Sequence, residues 1–570
     1  MRPSRFAGSA SASLGLSLIA AASLAPRLLD ATRRPIDYNG FWHVFIARNL
    51  AREWHNLSHP PLFLVLLRAS DAVSHSVLAW RFWTLLAGTI SVYLVGRLLL
   101  ALGCRVSVAA LGAAVLGFST SAIQLSNEVE SYALCVALVL ASLFSYLEIV
   151  APEGPRRARS RVAFGVCASL ALSFHYFAGL FLAASVLAPI AVAAFDTAYR
   201  RALLASRARR WRADAATLAF PAALGLALYE LQAKVWVRAL NSLPGFYFDP
   251  GRETAAGFLA RNLRETFNLF SPLALPRARL AIPALAIFVA AVLWPAARER
   301  RGGGSAPVRI FPAVLLVLLL ALGMALGLLG LYPFGGLMRH QFLIFLFALL
   351  AGMVAADAVT RSLPKARAAA LVGTLAAVLA VSFAAQLPQL LWPAPDPLRR
   401  IVSAREPELR GQGGVTVDQF GLVAVFSQHA RSDWRFRGAL RENPRAEVYA
   451  VGLPGGAIEL LALRDWWIFD LSSPRLFDEL AKAWEARGGE CHGLLRFGGQ
   501  ALRPERKPIP SERRAAFGDQ LTRGAAAHGL RLERAAVSPY GDVCAVFCRQ
   551  TVARGVVMDA PTVAESQGKN

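Results

Sequence analysis

Charged residues are scarce in this chain of 570, at 17% of the total, where an ordinary soluble domain carries roughly 25%. The shortage argues against a soluble protein of this length. Acids are scarcer than bases, with 37 Asp+Glu against 61 Lys+Arg and a net charge of +24. That excess does not mark a nucleic-acid-binding protein. Residues 393–570 hold 25 bases and 21 acids, close to balance, and the other 36 bases and 16 acids fall mostly in short loops between apolar runs. The positive-inside rule produces this pattern. Cysteine is also sparse, at 6, and none has the CxxC or Cys/His spacing of a metal site. Cys104, Cys135 and Cys167 lie in apolar runs and read as small core residues. Cys491, Cys544 and Cys548 lie near the C-terminus, where an oxidising compartment would permit one disulfide and leave one thiol outside it. Internal repeats and low-complexity tracts are absent.

Apolar residues are abundant, at 55%, and they come in runs of about 20, the length that crosses a bilayer core. Eleven spans are expected, at roughly 9–29, 78–102, 106–124, 131–150, 162–176, 178–195, 214–236, 277–297, 310–331, 337–357 and 367–392. The first resembles a signal peptide, but ten later spans favour an uncleaved helix. The fold class is an α-helical polytopic membrane protein (residues 1–392) with a C-terminal α/β domain (393–554), followed by a tail at 555–570 that reads as disordered.

Basic residues set the orientation. Five clusters fall on one side when the N-terminus is cytoplasmic: Arg97 with Arg105, the Arg156–Arg161 loop, the Arg200–Arg212 loop, the Arg298–Arg309 loop, and Arg361, Lys365 and Arg367. The opposite, extracytoplasmic side then receives the loop 30–77, the turn 125–130, the Phe174-His175-Tyr176 corner, the loop 237–276, the turn 332–339 and the C-terminal domain, in a cytoplasmic (inner) membrane. Residues 41–56 and 60–76 have mixed faces and read as interfacial helices, with Pro60 and Pro61 suited to the first turn of the second. In the C-terminal part, 414–426 reads as a strand leading into a helix, 446–452, 466–470 and 543–547 as strands, and 476–487 as a helix.

Polar residues on the extracytoplasmic side form a candidate site: Asp37, His43 and His59 from the first loop, Glu128, Glu130 and Tyr132 from the next turn, His175 and Tyr176, and Arg339 with His340. Ionisable residues at helix mouths are costly unless paired or functional. A carboxylate can take a proton from an acceptor hydroxyl, and arginine or histidine can hold a phosphate. Each residue also has a plainer reading. Asp37 could be a solvated loop acid, His59 a cap before Pro-Pro, Arg339 a headgroup anchor, Glu128 and Glu130 helix caps or ion-pair partners, and His43 and His175 packed core residues.

Asp37, His59-Pro60-Pro61-Leu62, the Ser126–Tyr132 turn, His175-Tyr176 and Arg339 together resemble the integral-membrane glycosyltransferases of the GT-C fold. The similarity is to bacterial family 39 and RgtA/B/C/D-like proteins, relatives of protein O-mannosyltransferases and the lipid A aminoarabinose transferase, and it covers about residues 9–392. The resemblance implies inverting transfer of a sugar from a polyprenyl-phosphate donor to an extracytoplasmic acceptor. It implies Asp37 as general base, His59 and Arg339 as donor-phosphate residues, and Glu128 as a structural or acceptor-side residue, with Glu130, Tyr132, His43 and His175 near the site. Two positions depart from the family pattern: Tyr38 stands where many relatives have a second acid, and Glu130 where relatives often have arginine. No metal ligand set is expected, and metal dependence is left open. The alternatives are a non-enzymatic transporter or lipid flippase, or a polysaccharide polymerase or ligase.

Overall fold

The structure is a computed structural model. It describes residues 10–53, 60–151, 157–207, 211–233, 248–251, 253–270, 289–290, 307–335, 338–391, 414–439, 446–453, 456–463, 477–478, 480–481, 484–485, 490–496, 510–537 and 543–549. The chain folds as two compact units. One comprises Met1–Pro35 and Ile46–Ala394, the other Ile36–Phe45 and Pro395–Asn570.

The first unit is helical. Its helices are α1 (Ala10–Arg33), the C-terminal end of α2 (Tyr38–Arg48), α3 (Leu50–Glu53), α4 (Leu62–Val73), α5 (Val77–Ala101), α6 (Val106–Phe118), α7 (Thr120–Asn127), α8 (Tyr132–Val150), α9 (Arg157–Phe174), α10 (Ala178–Phe195), α11 (Thr197–Arg207), α12 (Trp211–Leu228), α13 (Ala255–Phe270), α14 (Phe311–Leu328), α15 (Met338–Ser362) and α16 (Lys365–Leu391). Seven described helices are long and apolar enough to cross a membrane, and nine spans result if each of two bent pairs is one. The protein is therefore read as a helical membrane protein. The expected span 277–297 lies almost wholly outside the described residues, and so do the strand at 466–470 and the tail at 555–570. α12 and α16 leave Phe220, Leu226, Val378 and Val381 exposed, a set that water would disfavour and lipid would not.

The expected span 106–124 is instead two helices, α6 and α7, bent by 54° at Ser119. The expected first interfacial helix is α2 and α3, and the second is α4, for which Pro61 is the N-cap. Buried side chains of α1, α5, α6, α8, α9, α10, α14 and α15 make one continuous core. Near one end of these helices Asp357 of α15 is fully buried. Its carboxylate accepts from Arg309 Nη2 at 2.6 Å, Arg361 Nε at 2.8 Å and the backbone N–H of Arg105 at 2.9 Å. Three of the basic loops thus meet at one carboxylate, and each donor offsets part of its desolvation.

The second unit holds a seven-stranded mixed sheet in the order β2-β3-β4-β1-β5-β7-β6. Its strands are β1 (Val415–Asp418), β2 (Trp434–Ala439), β3 (Ala446–Leu453), β4 (Gly456–Leu463), β5 (Cys491–Arg496), β6 (Leu530–Val537) and β7 (Val543–Arg549). β1 pairs in parallel with β4 and β5, and the remaining pairs are antiparallel. Strand β1 is buried along its whole length, as a central parallel strand covered on both faces must be. It leads straight into α17 (Gln419–Gln428), whose N-cap Asp418 accepts from Gly421 N at 2.5 Å. α18 (Ser511–Ala526) packs through Leu521 and Ala525 into a core with Phe477, Trp484 and Phe547. A disulfide joins Cys491 to Cys548, directly opposite each other on β5 and β7, and Cys544 is not in that bond.

Candidate functional site

In the first unit the site is built from helix ends. The bend at Ser119 frees backbone carbonyls, because an α-helix leaves its last carbonyls without intrahelical partners. A buried arginine from α1 meets them. Arg27 donates from Nη1 to Gly117 O at 2.7 Å and Ser23 O at 2.9 Å, and from Nη2 to Leu116 O at 3.4 Å. Its Nε reaches Ser126 Oγ at 3.2 Å. Gly88 of α5 lies against this contact. A Cβ there would stand 2.7 Å from Ser126 Cβ and 3.4 Å from Arg27 Nε, so only glycine lets α5 and α7 approach this closely.

One turn along α1, Asp30 is fully buried and accepts from Arg34 Nε at 2.9 and 3.0 Å and from Asn127 Nδ2 at 2.7 Å. Arg81 of α5 closes the arrangement through four backbone carbonyls. It donates to Ala31 O at 2.6 Å, Arg34 O at 2.9 Å, Pro35 O at 3.1 Å and Asn127 O at 2.7 Å. These carbonyls carry the negative ends of α1 and α7, where a cation is favoured. The five-donor guanidinium fork can span two chain segments at once. The arrangement fixes the exit of α1 against the start of the Ser126–Tyr132 turn.

That turn carries Glu130, which is buried, and its Oε1 receives Arg339 Nη1 at 2.5 Å. The guanidinium of Arg339 also lies over the ring of Tyr132, with Cζ 6.0 Å from the centroid, within cation–π range. Tyr132 packs on His175 with ring centroids 4.4 Å apart. His175 Nδ1 accepts the backbone N–H of Phe177 at 3.0 Å, so in a neutral ring the proton is on Nε2. Phe177 in turn stacks on Tyr332, whose hydroxyl donates to the carbonyl of His340. Glu130, Tyr132, His175 and Arg339 are thereby linked in one series built from three separated segments. Glu128 is half-buried and caps the C-terminus of α7 through its backbone N–H. What this arrangement can do chemically is hold a guanidinium beside aromatic rings, with a carboxylate that an incoming anion would have to displace.

Asp37 and His43 belong to the second unit. Asp37 is exposed, and its Oδ1 accepts from Gly40 N at 2.8 Å, the N-cap bond of α2. His43 is buried. His59 lies outside the described residues. Among the described residues no group of three or more His, Cys, Asp or Glu side chains could hold a metal ion.

Arg27, Asp30, Arg34 and Arg81 escaped sequence reasoning, because charges near the end of a span look like ordinary flanking residues, whereas Asn127 lies in the Ser126–Tyr132 turn that the sequence singled out. Asp71 escaped it too. It is buried, and accepts from Arg48 Nε at 2.7 Å and Nη2 at 2.9 Å, and from Trp80 Nε1 at 2.7 Å, with His75 Nδ1 at 2.9 Å. Burial opposes its charge, but the hydrogen bonds and charge of Arg48, helped by His75 and Trp80, hold its carboxyl below the usual range. The available signal was the close spacing of Asp71, at the end of α4, to His75 and Trp80 just beyond it. No protein-family model matches this chain, and no curated protein matches it.

Proposed function

We propose that the protein is an integral-membrane glycosyltransferase that moves a sugar from a polyprenyl-phosphate donor to a hydroxyl-bearing acceptor outside the cytoplasmic membrane, with inversion. The observation that carries this reading is the gathering of Glu130, Tyr132, His175 and Arg339 at the helix mouths. A guanidinium held there suits a phosphate that gathers charge as it leaves. In the proposed reaction the acceptor hydroxyl gives its proton to the Asp37 carboxylate. The acceptor oxygen bonds to the anomeric carbon on the face opposite the phosphate, and the bond to the phosphate oxygen breaks with its electron pair. Polyprenyl phosphate departs, with Arg339 and His59 as its partners. Glu130 holds Arg339 until the donor arrives, while Glu128, Tyr132, His43 and His175 shape the surroundings. The Cys491–Cys548 bond supports an oxidising compartment for the C-terminal domain, in keeping with an N-terminus on the cytoplasmic side.

The test is transfer of labelled sugar by purified protein from a panel of polyprenyl-phosphate hexoses and pentoses. Wild type should transfer from at least one, and Asp37→Asn should lose roughly 100-fold or more in turnover. Full activity in Asp37→Asn removes Asp37 from the mechanism.

One observation favours a second reading, a transporter or flippase: the α6–α7 pair is broken, and broken helices line transport sites. Its freed carbonyls, however, accept from Arg27, a protein side chain, which suits a structural closure better than an ion site. Transport in proteoliposomes that survives Asp37→Asn and Arg339→Ala would favour this alternative.

A further inference from the structure

We propose that the C-terminal domain positions the Asp37-bearing helix, seating Phe45 in an aromatic socket made by Phe426, Trp434 and Tyr449, and thereby sets turnover. The inference rests on Asp37 being the base in the reaction proposed above.

Helix α2 has only 11 residues, too few to be stable alone in water. Its first eight belong to the unit that contains the C-terminal domain. Phe41, His43, Val44 and Phe45 are buried there, with Ile36 ahead of them. Phe41 and Phe45 are one turn apart and share a face. The ring of Phe45 lies 5.5 Å from Phe426, 6.3 Å from Trp434 and 5.5 Å from Tyr449, all edge-on, and Phe41 reaches Phe426 at 6.4 Å. The three socket rings come from α17, β2 and β3, and two of them are anchored. Trp434 Nε1 donates to His429 O at 2.9 Å, and the Tyr449 hydroxyl donates to Glu447 Oε2 at 2.7 Å. Such edge-to-face pairs fix ring orientation as well as burying area.

Asp37 caps the other end of the same helix. It is eight residues from Phe45, so at 1.5 Å per residue the lever is about 12 Å. A tilt of about 5° at the socket would swing the carboxylate by about 1 Å, enough to cost up to roughly 100-fold in rate. Phe45 is therefore a positioning residue that need not touch substrate. The apolar stretch that looks like a lipid-facing surface in the sequence is a plug filled by the protein's own domain.

The experiment uses the full-length protein. Phe45→Ala and the milder Phe45→Leu, which keeps most of the apolar volume should the alanine variant misfold, are compared with wild type and with Phe477→Leu. The last perturbs the other core of the C-terminal domain, in which α2 takes no part. Sugar transfer is measured with the same labelled donors, and amide hydrogen exchange is followed over residues 38–45. Expected for Phe45→Leu are a kcat lowered by roughly 10- to 100-fold, a donor KM within about twofold of wild type, and faster exchange at 38–41. Phe477→Leu should change neither. Wild-type kcat in both Phe45 variants overturns the proposal. So does a loss of kcat with unchanged exchange, or an equal effect from Phe477→Leu. If wild type transfers no sugar, the glycosyltransferase reading falls. The socket is then judged on exchange alone: faster exchange at 38–41 upholds it and unchanged exchange overturns it.

Discussion

Arg81 donates from Nη2 to the carbonyl oxygen of Pro35, two residues before Asp37. The same guanidinium holds three other carbonyls from two chain segments. Arg81→Ala would strand all four in a buried setting, so stability should fall by about 3–5 kcal/mol. Arg81→Lys keeps the charge but not the fork, and should recover only part of the loss. Unfolding in detergent, followed by tryptophan fluorescence, reads both. A midpoint unchanged in Arg81→Ala would mean that these bonds carry little weight.

The close approach of α5 and α7 at Gly88 makes a steric prediction. Gly88→Ala should destabilise by about 1–3 kcal/mol, although alanine is the better helix former. A neutral or stabilising substitution would show that Ser126 can retreat and that Arg27 does not pin it.

Glu130 and Arg339 should be coupled. Glu130→Gln and Arg339→Gln, made singly and together, are expected to show an interaction of about 0.5–3 kcal/mol in unfolding free energy, because each single change leaves the other charge behind. Additive losses would place the pair too far apart to matter. If Arg339 also binds the donor phosphate, Arg339→Gln raises the donor KM more than Glu130→Gln does.

Acid should reach the first loop through Asp71. Its carboxyl lies below the ordinary value of 3.8 in the folded protein. Its stabilisation is therefore complete above that value and is lost as pH falls through the depressed one. Asp71→Asn should lower the melting temperature near neutral pH, and the gap from wild type should close at strongly acid pH. His528 has the opposite sign. Its hydrogen bonds to Asp478 and Gly524 raise it above 6.5, so its contribution is complete below 6.5 and fades as pH rises through the folded value. A gap for Asp71→Asn that persists unchanged to low pH would contradict the assignment.

Cys491 and Cys548 close a loop with a sequence separation of 57. Replacing both with serine should destabilise the C-terminal domain by about 2–4 kcal/mol. Thiol labelling of native protein should leave buried Cys544 unmodified until the domain unfolds.

Much of the helical part could be read from the sequence, because a sustained apolar run has one physical solution in a membrane. The bend at Ser119 could not, since no proline marks it and its partner, Arg27, lies 90 residues earlier than Gly117. The strands that were legible, β1, β3 and β7, are well-buried apolar runs, whereas β2 is an exposed edge carrying Arg435 and Arg437. Gly493 interrupts β5, and the first half of β4 is exposed at Ala457 and Glu459, which blurred their patterns. The site was legible only as a set of polar residues at helix mouths. Which of them pair is decided by packing, as with Glu130 and Arg339. Phe41 and Phe45 have the same spacing whether their cover is lipid or protein, so the ownership of α2 was hidden.

Arg27 and Asp30 have a consequence for biogenesis. Both sit in α1, and although Arg34 pairs with Asp30 locally, the partners Ser126 and Asn127 follow 99 and 97 positions later. At about 5–20 residues per second, that is a wait of roughly 5–20 s. During it Arg27 lacks its bonds to Gly117 and Ser126, and Asp30 lacks its bond from Asn127, a state that lipid disfavours. The nascent chain must keep this helix at the insertion machinery, or at the aqueous interface, until α7 arrives.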